Sequence, residues 1–354
     1  MPKHVMYLLG AGFSAPLGIP TMRNFVDEAR RLSRGNDRYA YFDEVIKLVQ
    51  GTISASRYFH HDSDNIEEAL SLLEMKENIE SISQKDQLLR FISEAITLAT
   101  PQVPNVPYDL LPSNFWAEFF TTDQDWQGYL AFIASLFHLS FHRNTIYGGR
   151  GIKVMSVPSD VQYSILSLNY DMVLEKAVDF LCRLFKWDGT PVLFADEFDL
   201  ESGSPFPPLI KLHGSIDKGN IIPPTFNKGL YGSEFPRTWK QASSILSAAN
   251  EIRIIGYSLP ITDSYIKYLL MAAIDRSRSL DRIDWIVRDS SSSVSDRIRQ
   301  FVSFKNVRFL QADTSRYLRS VFAYTVNSQQ TSGFTDRLVF DRLESAHEQF
   351  FKKD

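Results

Sequence analysis

Close to its start the chain carries five consecutive apolar residues, Val5-Met-Tyr-Leu-Leu9, followed at once by Gly10-Ala-Gly-Phe-Ser-Ala15. An apolar run with no polar break marks a strand buried on both faces, as at the centre of a parallel sheet. Gly10, Gly12 and Ala15 then give G-x-G-x-x-A, the small-residue spacing of a dinucleotide-binding turn. In such a turn the first glycine lets the chain leave the strand sharply, and the second removes a Cβ from the path of a pyrophosphate. The alanine lets the next helix lie close to the sheet, its free N–H groups toward the phosphates. The same spacing also closes plain βα corners, so alone it leaves nucleotide binding open. The acidic residue that ordinary dehydrogenases place about 20 positions on, at the end of a second strand, is not evident, because Glu28 falls inside a helix-like stretch. An ordinary dehydrogenase is therefore not expected.

With 354 residues, 44% of them hydrophobic, the chain can bury a large core as one big domain or two modest ones. A net charge of −4 gives no electrostatic case for wrapping nucleic acid, and no direct nucleic-acid site is evident. The single cysteine, Cys182, excludes an intramolecular disulfide and a four-cysteine zinc site. No apolar run approaches the roughly 18 residues of a membrane helix. A strand this near Met1 leaves no room for a signal peptide. The expectation is a soluble, cytoplasmic protein without membrane contact.

Asn24 to about Arg34 reads as a first crossover helix. From Gly35 to Ser159 the strand signals fade, and Phe42–Val49, Ile66–Met75, Gln87–Leu98, Phe115–Phe120 and Gln127–His138 carry apolar residues at helical spacing. Pro101, Pro104, Pro107 and Pro112 break this run into an irregular connector. His60-His61-Asp62 reads as a solvated loop, since adjacent histidines point apart and make a poor metal site. Parallel-sheet spacing returns at Tyr163–Leu168, Pro208–Leu212, Ile252–Ile255, Ile283–Val287 and Val307–Leu310. Between these runs lie helical stretches at Met172–Leu184, Asp263–Arg276 and Val294–Val302. This alternation predicts an α/β fold, a doubly wound, Rossmann-like, mostly parallel sheet with a large helical insertion between its first two strands. Residues 1–34 and 160–326 would form the Rossmann domain, 35–159 the helical insertion, and 327–354 a helical tail with an amphipathic helix over Phe334–Lys353.

Open α/β sheets bind ligands at the carboxyl ends of their strands, near the point where strand order reverses. Gly10–Ser14, Asn169, His213 and Gly256–Ser258 all directly follow predicted strands, so they should converge on one cleft. Taken singly, Asn169 equally suits a turn or cap, His213 a structural hydrogen bonder, and Gly256 a simple change of chain direction. Their placement at one end of one sheet is the informative feature. Arg288, Asp289 and Ser290 also follow a strand and are candidates for an adenosine end or a plain turn.

Gly10-Ala-Gly12-x-Ser14, Gly18-Ile-Pro20-x-x-Arg23, Leu168-Asn-x-Asp171, Leu212-His-Gly214 and Gly256-x-Ser258-Leu resemble, in the same order, the motifs of sirtuins. Their longer forms are Ser167-Leu-Asn-Tyr-Asp-x-x-Leu-Glu175, Lys211-Leu-His-Gly-Ser215 with Ile222-Pro-Pro224, and Gly256-Tyr-Ser-Leu-Pro-x-x-Asp263. These resemble more closely still the sirtuin-like NAD-hydrolysing domains of prokaryotic antiviral defence. The resemblance covers about residues 5 to 310, apart from the insertion. It implies that Gly10, Ala11, Gly12 and Ser14 hold the NAD pyrophosphate and that Arg23 helps close over it. Asn169 would orient the nicotinamide ribose or the attacking water, and His213 would act as general base. Gly256 and Ser258 would complete the phosphate and ribose contacts, and Asp171 would support the loop.

The chemistry suits these residue types. Nicotinamide leaves neutral from a cationic pyridinium and needs no acid, while the ribose gains oxocarbenium character. Histidine can accept a proton near neutral pH, and an asparagine amide donates and accepts without adding charge. Sirtuin deacylases carry a four-cysteine zinc ribbon that one cysteine cannot build, so water rather than acyl-lysine is the implied acceptor and no metal is expected. The resemblance thus implies an NAD+ glycohydrolase, with NAD as substrate, acting as the restrained NAD-depleting effector of an antiphage system. A homo-oligomer and a partner protein, such as a motor ATPase of a defence operon, are the implied associations. A non-catalytic module sensing NAD or ADP-ribose for a partner is the alternative, and ADP-ribosyl transfer to protein a third.

Overall fold

Val5–Leu9 lie in the middle of a six-stranded sheet, and their alternate side chains feed two separate cores. The computed structural model describes residues 2–56, 66, 71–73, 75, 85–103, 124–144, 151–184, 194, 206–222, 234–260, 263–288, 292–327 and 337–352. The strands are β1 (Lys3–Leu9), β2 (Leu139–Asn144), β3 (Gly151–Ser156), β4 (Val161–Ser167), β5 (Leu209–Lys211), β6 (Glu251–Ile255), β7 (Arg282–Val287), β8 (Val307–Gln311) and β9 (Arg337–Val339). The α-helices are α1 (Ala11–Ser14), α2 (Phe25–Ser33), α3 (Phe42–Ser56), α4 (Lys85–Ala99), α5 (Gln124–Leu136) and α6 (Val173–Leu184), then α7 (Glu234–Ala248), α8 (Ser264–Arg276), α9 (Ser293–Phe301), α10 (Thr314–Phe322) and α11 (Leu343–Lys352).

The main sheet runs β5-β4-β1-β6-β7-β8, and every pairing in it is parallel. Counting only its own strands, the order is 3-2-1-4-5-6, the Rossmann arrangement, with the reversal at β1. Because successive strand side chains face opposite ways, Val5, Tyr7 and Leu9 enter one core with α5, α6, α10 and α11. Met6 and Leu8 enter the other with α7, α8 and α9. Helices on both faces are what an all-parallel sheet needs to bury its apolar strands. The doubly wound α/β expectation holds.

Three local expectations change. The helix laid over β1 is α5 rather than α2: Phe132 meets Tyr7 edge-on at 5.1 Å, and the Tyr129 hydroxyl donates to the Phe13 carbonyl. Helix α2 packs instead with α3 and α4, Phe25 meeting Phe91 at 5.8 Å.

Residues 35–159 are not wholly helical. After α5 the chain turns at His138, with φ +49°, into β2, which pairs antiparallel with both β3 and β9 in a second, three-stranded sheet. The alternation is short but real, since Leu139 and Phe141 bury their side chains.

The described part of Phe334–Lys353 is not one helix; it divides into β9 and α11. Helix α11 folds back on the sheet, where Glu344 pairs with Lys3 and Arg253, Glu348 with Arg282 and Arg308, and His347 with Asp284. His60-His61-Asp62, Pro104, Pro107, Pro112 and Phe115–Phe120 lie outside the described residues. No described helix is long and apolar enough to cross a membrane.

Candidate active site

Strands β1, β4, β5 and β6 deliver Gly10, Asn169, His213 and Gly256 to one cavity of about 710 Å³ at the carboxyl edge of the sheet, where strand order reverses. Small-molecule sites usually measure about 300–1,000 Å³, so a dinucleotide-sized ligand suits it. Ala11, Gly12, Arg23, Asp171 and Ser258 also line it, while Ser14 stands behind Asn169, buried.

The glycines are required first by chain crossing. A Cβ on Gly10 would stand 2.7 Å from the Gly256 carbonyl oxygen, and one on Gly12 2.9 Å from Gly256 Cα. Gly256 has φ +69°, and a Cβ there would come 2.2 Å from the Phe13 nitrogen. The Gly10 and Gly12 amides donate to the Ile255 and Gly256 carbonyls at 3.0 and 2.9 Å. What the turn offers a ligand is therefore the Ala11 N–H, which donates to no protein group among the described residues.

Asn169 is held from behind. Its Nδ2 donates to the Gly10 carbonyl at 3.0 Å and to Ser14 Oγ at 3.1 Å. A carbonyl only accepts, so the amide nitrogen must face Gly10 and Oδ1 must turn away from it. Oδ1 meets no protein donor among the described residues and stands as an acceptor at the cavity wall. Asp171 Oδ1 accepts from the Val173 amide at 3.0 Å, capping α6. Burial raises the Asp171 carboxyl above its ordinary pKa, against the pull of the Lys211 charge. A carboxylate so engaged braces the loop.

His213 Nδ1 lies 3.2 Å from the Leu168 carbonyl. That acceptor fixes the proton on Nδ1 and leaves the lone pair on Nε2. The turn after it depends on Gly214, where φ is +76° and a Cβ would fall on the Asn220 carbonyl.

Arg23, which is exposed, lines the cavity together with Arg288 and Arg297. Arg297 Nη2 donates to the Ser258 carbonyl at 2.9 Å, so it braces the loop after β6 as well as adding charge. Asp289, Ser290, Pro223 and Pro224 lie outside the described residues. Among the described residues no three His, Cys, Asp or Glu side chains converge as a metal site would need.

Three residues contribute that were not singled out for a role. Thr314 Oγ1 donates to the Gly12 carbonyl at 2.8 Å. Arg297 sits on an amphipathic helix with no local signal. Lys211 stood inside the Lys211-Leu-His-Gly-Ser215 motif, but its role depends on partners brought near only by folding.

Residues 163–310 match the family model of the SIR2-like domain, a span running from within β4 to within β8. It includes Asn169, His213 and Gly256 and excludes the turn after β1. No curated protein matches the chain. With the motifs in order on a Rossmann-like sheet, residues 163–310 carry a SIR2-like domain, which supports a sirtuin-like, NAD-related family.

Proposed function

We propose that the chain hydrolyses NAD+ to nicotinamide and ADP-ribose. The reading is carried by one observation: Asn169 and His213 are each locked on one side by a backbone carbonyl, and both face the same cavity. NAD+ supplies a pyridinium that departs as neutral nicotinamide, so no acid is required there. The Ala11 amide with Arg23, Arg288 and Arg297 suits a diphosphate, which takes charge-assisted hydrogen bonds. Asn169 Oδ1 accepts a hydrogen bond from the attacking water or a ribose hydroxyl and so fixes its direction. His213 Nε2 takes the proton that water loses as its oxygen bonds to the ribose carbon, then releases it to solvent. One water is consumed, and nicotinamide, ADP-ribose and one proton result.

Such an enzyme would drain its host's NAD+ if unrestrained. The proposal therefore extends to a cytoplasmic effector of antiphage defence, restrained until triggered by assembly with its own copies or with a partner such as a motor ATPase. The motif resemblance supports this extension.

Purified chain incubated with NAD+, with and without candidate activators, should release nicotinamide without any acyl-lysine peptide. Asn169→Ala and His213→Ala should each lower the rate, for His213 by about 10²–10⁴-fold. Full turnover in both variants sinks the mechanism. A second reading rests on the burial of His213, which is only 4% exposed and so well placed to contact a ligand without activating water. In that case the chain senses NAD+ or ADP-ribose for a partner. Calorimetry would then show tight binding, with NAD+ recovered intact in every assembly state.

A further inference from the structure

The geometry points to Lys211 as the positioning residue that holds Asn169 and His213 in register, by joining the two loops that carry them. This rests on the hydrolytic reading of those two residues. Lys211 ends β5, two residues before His213, and reaches across to the loop after β4. An ammonium has three hydrogens. They meet the Asp171 carbonyl at 2.5 Å, Glu175 Oε1 at 2.8 Å and Ser215 Oγ at 2.8 Å, with the Tyr170 carbonyl at 3.5 Å. Tyr170 and Asp171 directly follow Asn169, Glu175 lies in the first turn of α6, and Ser215 lies just past His213.

One charge therefore ties the Asn169 loop, its following helix and the His213 loop together. The bond from His213 Nδ1 to the Leu168 carbonyl is a second strut across the same gap. Lys211 does not line the cavity, so it acts through the residues that do. Its three bonds run to three separate elements: the loop after Asn169, the first turn of α6 and the loop after His213. A hydrophobic side chain of similar length would take this donor from the Asp171 carbonyl, while the Tyr170 carbonyl keeps the Ile216 amide at 3.1 Å.

The test compares Lys211→Met, Lys211→Ala and Ser215→Ala with the wild type in the full chain. It follows kcat and KM for NAD+, calorimetric affinity for ADP-ribose, melting temperature, and the ¹⁵N resonances of the His213 ring. Lys211→Met should lower kcat about 10- to 100-fold through lost alignment. KM and ADP-ribose affinity should change by less than about 3-fold, because an interaction realised in the transition state has been removed. Propylammonium, which replaces the missing part of the side chain, should restore part of the kcat of Lys211→Ala in a saturable manner. The His213 ring should pass from one tautomer to a mixture in Lys211→Met. An unchanged kcat, or a joint fall of kcat, ADP-ribose affinity and melting temperature, overturns the proposal. If Lys211→Met does not fold, Ser215→Ala carries the same readouts, and an unchanged kcat there overturns it. If the wild type releases no nicotinamide, it is the hydrolytic reading that fails. The ring resonances then decide Lys211 alone, an unaltered tautomer ruling it out.

Discussion

The side-chain nitrogen of Asn169 lies 3.0 Å from the carbonyl oxygen of Gly10, so the backbone leaving β1 fixes the side chain leaving β4. The bond joins neighbouring strands at the reversal point of the sheet, where a ligand would sit. It also settles which end of the amide faces the cavity, because Gly10 can only accept.

Asn169→Asp keeps the shape and removes both donors, setting a carboxylate oxygen against the Gly10 carbonyl. Asn169→Ala removes one of that carbonyl's two donors and leaves the Phe13 amide in place, at a cost of about 0.5–1.5 kcal/mol. The aspartate variant should therefore melt below the alanine variant in a thermal scan, and both should lose nicotinamide release. An aspartate variant as stable as the wild type would mean that the amide is oriented the other way.

Gly256→Ala should be among the most damaging small substitutions in the chain. Its φ of +69° costs a non-glycine residue about 1–2 kcal/mol, and the added Cβ would lie 2.2 Å from the Phe13 nitrogen, on backbone that cannot swing aside. Urea denaturation should show a loss above about 2 kcal/mol, or no folded protein. Gly35→Ala has a similar φ of +76° but open space around it, and should lose only the conformational part. Equal losses at the two sites would show that the crossing of the β1 and β6 loops is not tight.

Much of this was legible in the chain for a physical reason. Val5–Leu9 is apolar without a break because both its faces are buried, and that alone places it at the centre of a parallel sheet. Asn169 and His213 were visible because polar residues ending apolar runs have few places to go but a sheet edge. The start of β2 was hidden, since His138 turns the chain out of α5 with a positive φ and no glycine or proline marks that turn; Gly148-Gly149 between β2 and β3 was the signal that could have found the pair. Gly12 carried a spacing read for a pyrophosphate, whereas its Cβ direction is filled by Gly256, a residue that only folding brings beside it. The convergence on Lys211 could not be seen for the same reason.

Two buried histidines should make the fold sensitive to mild acid. His4 Nε2 lies 2.8 Å from Ser164 Oγ, and His347 lies between Tyr317 and Asp284, with Nε2 2.9 Å from Asp284 Oδ2. Burial lowers both rings to about 4, and the Arg253 charge adds to the effect at His347. Above about pH 6.5 neither state holds the proton and these rings contribute no pH dependence. Between about 6.5 and 4 the unfolded chain takes up protons that the folded one refuses, so stability falls with pH by up to about 1.4 kcal/mol per unit for each ring. Urea midpoints measured from pH 7.5 to 4.5 should show this slope, and His347→Gln should reduce it by about half, leaving the His4 part. A flat profile would mean that both rings charge freely in the folded protein.

Glu344 and Glu348 sit one turn apart on α11, yet their loss should differ several-fold. Glu344 holds the two terminal guanidinium nitrogens of Arg253, a side chain with 0% exposure, and also Lys3 and the Tyr163 hydroxyl. Burial works to raise its pKa, but Arg253 and Lys3 hold it down at about 2. Glu344→Ala would strip a fully buried cation of one of its two carboxylate partners, leaving Glu251, and breaking such a pair costs about 3–5 kcal/mol. Glu348 pairs with Arg282 and Arg308 but is 35% exposed, so water screens it and its removal should cost about 1 kcal/mol or less. Urea denaturation of the two alanine variants at pH 7 measures the difference directly. Similar losses would show that the Arg253 charge is stabilised mainly by Glu251 and the Tyr7 hydroxyl, and that α11 is held by its apolar face alone.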